Sequence, residues 1–342
     1  MVDGIHLRRS KVQRDQIARL GERVGPPVGL AGVLDGLNRV ATPARVPGRA
    51  PVWGFTWNDQ DQGSPRWWPQ GISSTADATA SGQVQDRRLL VTSWYCKDDG
   101  DGRQGSRVTF VDLETLRYRH VLLVRAVTDE AGGTRLEPLH IHAGGVVWAG
   151  DHLHVAGTRR GFFTCRISDI IRLEPGPESF DYRYVLPVRF TYRAHAADEV
   201  EPLRYSFLSL NRSSNPPELV AGEYGRGDMS TRLVRYPLDE ESLLPSDQPD
   251  GRCQPALLDP RGVGHMQGVA VVGERYYVSV SRGRTRRGHL YVGAPGSLTP
   301  RRWALPPGPE DICYWPSTDQ LWSLSEYPGR RFVFAMDRAN FD

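Results

Sequence analysis

Glu310 and Asp311 lead a short apolar run, Ile312 to Trp315, and are the strongest acid–base candidates in the chain. Neighbouring residues of a strand point to opposite sides, so only one of the two can face a given cavity, and Glu310 is expected there. Loss of water among aromatic walls raises a carboxyl pKa and suits the group to donate or accept a proton. The structural use of the same group is to hold backbone amides. His142, also ahead of an apolar run, is the second proton-transfer candidate. His140 and His142 are spaced i, i+2 and share a face if they lie on a strand. With His265 they form a weak divalent-metal set, and the favoured expectation is no cofactor. Ser206 lacks the turn signature of an activated nucleophile. No Walker or dinucleotide glycine motif stands between a strand and a helix.

These residues share a context. Gly71–Trp94, Gly145–Ala156, Gly268–Ser279 and Asp311–Ser323 each read as strand, turn and strand, opening on Gly or an acid. A recurring strand–turn–strand unit that cannot bury both faces alone is the signature of a β-propeller, in which each blade stacks on the next. The spacing predicts an all-β fold of five blades over 51–342, with six possible if the stretch from Glu174 to Arg204 hides another. Residues 1–50 read as a helical extension and linker, with Ile17, Leu20 and Val24 on one face of a first helix and Leu30 to Val40 forming a second. The last blade lacks an outer strand, and Trp53–Trp57 is expected to complete it, since a terminus that closes the ring removes an exposed edge.

In such a ring the residues leading each first strand and those following each second strand fall on one face. The first set includes Trp68, Gln70, His142, Ser206, Gln267 and Glu310. The second includes Tyr95, Asp98, Thr158, Arg159, Glu223, Tyr224, Arg282, Glu326 and Tyr327. A concave site with convergent polar groups and aromatic walls is the usual form of a small-molecule pocket. Gln70 and Gln267 are expected to orient polar groups, and Trp68, Tyr95 and Trp148 to supply apolar walls. Ser206, Glu223, Arg282 and Glu326 complete the expected substrate contacts. The expected partner is a small, largely apolar molecule.

Composition narrows the classes. The 342 residues include 36 Gly and 26 Pro, fitting many short strands and turns, and the net charge is only +3. Arg is interspersed with Asp and Glu, so no nucleic-acid stripe stands out, and Arg282 to Arg287 reads as a solvated loop. Cys96, Cys165, Cys253 and Cys313 lack metal-ligand spacing. No stretch has the length of a membrane span. Met1 to Gly25 holds no apolar signal core, which leads us to expect a cytoplasmic protein.

Trp68 to Ser73, His142 to Trp148, Met266 to Val269 and Pro309 to Ile312 resemble phrases of a poorly characterised actinobacterial β-propeller family, usually labelled secreted or hypothetical. The resemblance covers about residues 65–337. It implies a propeller but no established reaction and no catalytic residues. From the residues themselves we expect an enzyme of specialised, natural-product metabolism performing a cofactor-free cyclisation, isomerisation or elimination, with Glu310 and His142 exchanging protons. A carbohydrate-active propeller, with Glu223, Glu326 or Asp98 as a second carboxylate, is the alternative. A non-catalytic binding module is the third.

Overall fold

The computed structural model describes residues 4–97, 104–128 and 132–342. The chain is mostly β, arranged in successive four-stranded antiparallel units. The first consists of Trp67–Ser74, Leu89–Cys96, Ser106–Asp112 and Arg117–Thr128. The second holds Val146–Ala149, His152–Ala156, Phe162–Arg166 and the long Tyr184–Ala196. The third runs through Phe207–Asn211, Glu218–Gly222, Leu233–Pro237 and Leu257–Asp259. Met266–Val272, Arg275–Val280, Arg287–Gly293 and Thr299–Pro307 make the fourth. In the last, Pro309–Trp315, Gln320–Ser325 and Phe332–Asp337 are joined by Trp53–Thr56, which pairs antiparallel with Phe332–Ala335. That N-terminal strand takes the closing position expected of it.

The first strand of each unit packs on the first strand of the next, and the last unit's on the first's, so the inner strands close a ring. Apolar cores fill the spaces between neighbouring units. Phe110 and Trp148 meet between the first two, and Phe162 and Leu219 between the next pair. Val220 and Val278 lie in the third space, Tyr277 and Leu321 in the fourth, and Trp322 and Leu90 in the space that closes the circle. Strands buried on both faces read as continuous apolar runs, which is why these segments show little alternation.

Three glycines let the inner strands approach. A methyl group added at Gly71 would lie 2.6 Å from the Val146 amide nitrogen, and one at Gly268 would lie 2.6 Å from the Asp311 Cα. At Gly145 it would press on the Leu208 amide. Hydroxyls reinforce the same seams. Ser93 Oγ accepts from Gly71 N and donates to the Ala143 carbonyl of the next unit at 2.7 Å. Ser279 donates in the same way to the Glu310 carbonyl.

Residues 174–204 hold no further sheet. They supply the second unit's outer strand, which pairs with Ile5–Arg9. The N-terminal segment is therefore strand as well as helix. Its helices span Arg14–Val24, where Ile17 and Leu20 are buried, and Gly29–Asp35, shorter than the expected Leu30 to Val40. Arg39–Val40 then pairs with Arg117–Tyr118, and Thr42–Pro43 with Phe55–Thr56, so this segment covers outer sheet edges.

A buried charge cluster ties the closing segment to the first unit. Asp61, 3 % exposed, receives Arg107 at 3.0 Å, Arg39 at 3.1 Å and the Tyr118 hydroxyl at 2.7 Å, with His120 Nε2 at 3.0 Å. Burial opposes the charged carboxylate, but His120, Arg107 and Tyr118 more than offset this and hold its pKa well below the ordinary value.

Candidate functional site

One end of the ring opens into a cavity of about 930 Å³. Its lining comes from both sets of loops: Gln70, His142, Arg204, Ser206, His265, Gln267 and Glu310 lead first strands, while Thr158, Arg159, Tyr224, Arg282, Glu326 and Tyr327 follow second strands. Every unit contributes.

The chemical centre is a pair of carboxyl groups. Glu310, 2 % exposed, lies within hydrogen-bond reach of Glu326. Burial, the charges of Glu326 and Asp311, and that hydrogen bond raise the Glu310 pKa well above the ordinary value. Burial raises Glu326 as well, against the pull of Gln70 and Tyr327. A glutamine fixes each partner: Gln267 Nε2 donates to Glu310 Oε1 at 3.0 Å, and Gln70 Nε2 to Glu326 Oε2 at 3.1 Å. The order Gln267, Glu310, Glu326, Gln70 crosses from the fourth unit through the last to the first. Glu326 is expected from sequence on this face, as a substrate contact or a second carboxylate, but its approach to Glu310 has no signal in linear spacing.

His142 opens onto the same cavity and packs against Tyr95, ring centroids 4.4 Å apart and planes tilted by 45°. Crowding by surrounding atoms lowers its pKa and favours neutral imidazole. Tyr95 thus backs the wall rather than lining it, and burial with the Glu326 and Glu310 charges raises its phenol pKa. The Tyr224 hydroxyl lies 3.1 Å from His265 Nδ1.

Other candidates sit elsewhere. Asp311 is fully buried, accepts from Ile72 N at 3.2 Å and Ile312 N at 3.0 Å, and also holds the Val146 amide. Its carboxylate is therefore engaged by backbone on three units and lies off the cavity. Glu223 is also fully buried. It takes Arg232 Nε at 2.9 Å and the Arg204 amide at 2.9 Å, and these partners, against burial, lower its pKa. With every lone pair claimed below the rim, it has none to offer a ligand.

Trp148 faces the core between the first two units, where its indole donates to the Gly150 carbonyl at 2.9 Å. Trp68 stands behind Tyr327, edge to face at 5.7 Å, with the Lys97 ammonium 4.2 Å from its ring centre. The expected aromatic walls of Trp68, Tyr95 and Trp148 are thus set back, and most lining residues carry a hydrogen-bonding group although carbon makes up more of the exposed surface. His140 and His142 do not share a strand face. Residues 139–145 are irregular, Ala143 takes a left-handed φ of 54°, and exposed His140 lines a separate depression with Arg125 and Arg160. Among the described residues, no group of three or more His, Cys, Asp or Glu converges as metal ligands do. Asp98 lies outside the described residues. No described helix is long and apolar enough to cross a membrane.

No protein-family model and no curated protein matches the chain. Among solved structures it is similar to a gluconolactonase of Xanthomonas campestris, at 15% identity over 87% of this chain and 86% of that one, with a TM-score of 0.40. It is similar to the Cps50 (Swd1) β-propeller domain of Myceliophteria thermophila at 13% identity, covering 87% and 99%, with a TM-score of 0.38. The GH43_1 enzyme of Xanthomonas citri shares 12% identity, over 89% and 92%, with a TM-score of 0.40. Scores this low say nothing of the chemistry performed here.

Proposed function

We propose that the protein is a five-bladed β-propeller enzyme whose Glu310–Glu326 pair performs acid–base chemistry on a small molecule held in the cavity. The blade count rests on the four-stranded units, the ring of inner strands and the closing strand. The chemistry rests on one observation, the close approach of buried Glu310 and half-buried Glu326, each held by a glutamine. Two carboxylates this close do not both ionise readily, so near neutral pH they share one proton. One member then serves as acid and the other as base, and coupled titration makes the pair the functional unit. His142, neutral in the same wall, can take up or return a second proton. Such a set suits isomerisation, elimination or cyclisation, in which a proton leaves one atom of the substrate and another arrives elsewhere. The lining, hydrogen-bonding groups set among apolar surface, suits a ligand that carries both.

Glycoside hydrolysis is the second reading, favoured by the many hydrogen-bonding side chains in the lining. It asks more of the pair, because retaining enzymes hold their carboxyls about 5–5.5 Å apart and inverting ones about 6.5–9.5 Å. Glu310 and Glu326 would have to part when substrate arrives.

Infrared titration and turnover together test the proposal. Wild type near neutral pH should show a protonated-carboxyl stretch that Glu310→Gln loses. On any compound of a hydroxy- and oxo-acid panel that wild type consumes, Glu310→Gln and Glu326→Gln should each slow turnover about 10²–10⁴-fold. An ordinary glutamate titration for Glu310, or unchanged turnover in both variants, rules the pair out.

A further inference from the structure

We infer that the substrate is a small organic anion, a carboxylate or phosphate ester, whose charged group is held at the cavity rim by Arg159 and Arg282. This inference rests on the acid–base reading of the same cavity and adds the chemical class of what enters it.

Three guanidinium groups line the cavity, and they are not equivalent. Arg204 is committed to protein: it pairs with Glu201 at 2.8 Å and donates to the Ser230 carbonyl at 2.8 Å. Arg159 and Arg282 are exposed, and neither side chain makes a hydrogen bond or ion pair among the described residues. They come from different units, so one pocket holds two uncommitted cations together with the Glu310–Glu326 pair. Of the arginines in the run Arg282 to Arg287, Arg282 lines this cavity, with Gly283 beside it.

The backbones beneath the two arginines are fixed although the side chains are free. Arg159 sits in a tight turn in which Gly157 N donates to the Gly161 carbonyl at 2.8 Å and Gly161 N to the Thr158 carbonyl at 3.2 Å. Arg282 follows Ser281, whose amide donates to the His265 carbonyl at 3.2 Å. Thr158 and His265 are both left-handed, with φ of 54° and 64°, a costly state for residues with a Cβ that clusters at ligand clamps. A guanidinium fork on a fixed base matches the two oxygens of a carboxylate or the several oxygens of a phosphate. Ser206, Tyr224 and Gln267 lie in the same lining, suited to hydroxyl or carbonyl groups on the rest of the ligand.

Calorimetric titration of the full-length protein with citrate, inorganic pyrophosphate and uncharged sorbitol tests the inference and separates the two anion types. Wild type should bind citrate or pyrophosphate saturably and sorbitol far more weakly, with affinity falling as salt is added. Arg159→Gln and Arg282→Gln should each weaken anion binding about tenfold, the loss of one charge-assisted contact. Both arginines are exposed, and thermal unfolding of the variants checks that the fold is intact. Unchanged affinity in the double variant overturns the inference, as does the absence of saturable binding by either anion. Glu310→Gln should keep anion binding. If that variant also keeps full turnover, the carboxyl pair falls as the catalytic unit while the anion site stands.

Discussion

Two adjacent residues, Glu310 and Asp311, show how position decides what a carboxyl does. Both are buried and both have raised pKa values, yet Asp311 spends its oxygens on backbone amides while Glu310 meets a second carboxyl at a ligand-sized opening. A third buried acid offers a test of pH dependence. Asp77 accepts from Ser73 Oγ at 2.6 Å, and its pKa is pushed up to about 6, first by burial, against the pull of Ser73 and Arg212. The folded state therefore favours its protonated form. That contribution to stability is complete below the unfolded value of about 3.9 and is lost as pH rises through the folded value. Asp77→Asn should remove on the order of 2–3 kcal/mol of the stability that wild type loses across this window. Urea unfolding of both proteins at the two ends of the window measures it, and equal losses would show that Asp77 does not titrate there.

At the scale of the element, the leading glycines decide how closely units stack. Gly145→Ala would drive a methyl group into the backbone of the third unit, which flexible side chains cannot relieve. We expect a cost of about 1–3 kcal/mol or more, read as a lowered denaturant midpoint with little change in slope. The recurring hairpins and their leading residues were legible in the sequence, and so was the closing role of the strand starting at Trp53. Three kinds of information were not. Trp148 lies on a strand buried on both faces, where apolar periodicity cannot say which side meets a cavity. His140 and His142 share a strand face only if the chain there is extended, and left-handed Ala143 breaks that assumption. The contact between Glu310 and Glu326 depends on how the first and second strands of one unit are aligned at their cavity ends, where a register irregularity intervenes. The two seam serines, Ser93 and Ser279, did leave a signal, since each stands two residues before the second-strand loop, at Tyr95 and Ser281.

The whole molecule depends on joining its two ends. Trp53–Thr56 supplies the last sheet's outer strand, and the following turn carries Asp61 into a cluster with Arg39, Arg107 and Tyr118. Asp61→Asn would leave the buried Arg107 without its counter-charge, at a cost of about 3–5 kcal/mol. Thermal unfolding should register this as a large drop in midpoint, and a change within error would mean that water or rearrangement supplies a substitute. The closed ring also shares out the opening. Every unit lends the cavity a side chain, and the Asp311 carboxyl ties the inner strands of the last and first units through the Ile312 and Ile72 amides. A rim assembled this way has no spare part: a seam that loosens anywhere along the circle should blur the opening as a whole.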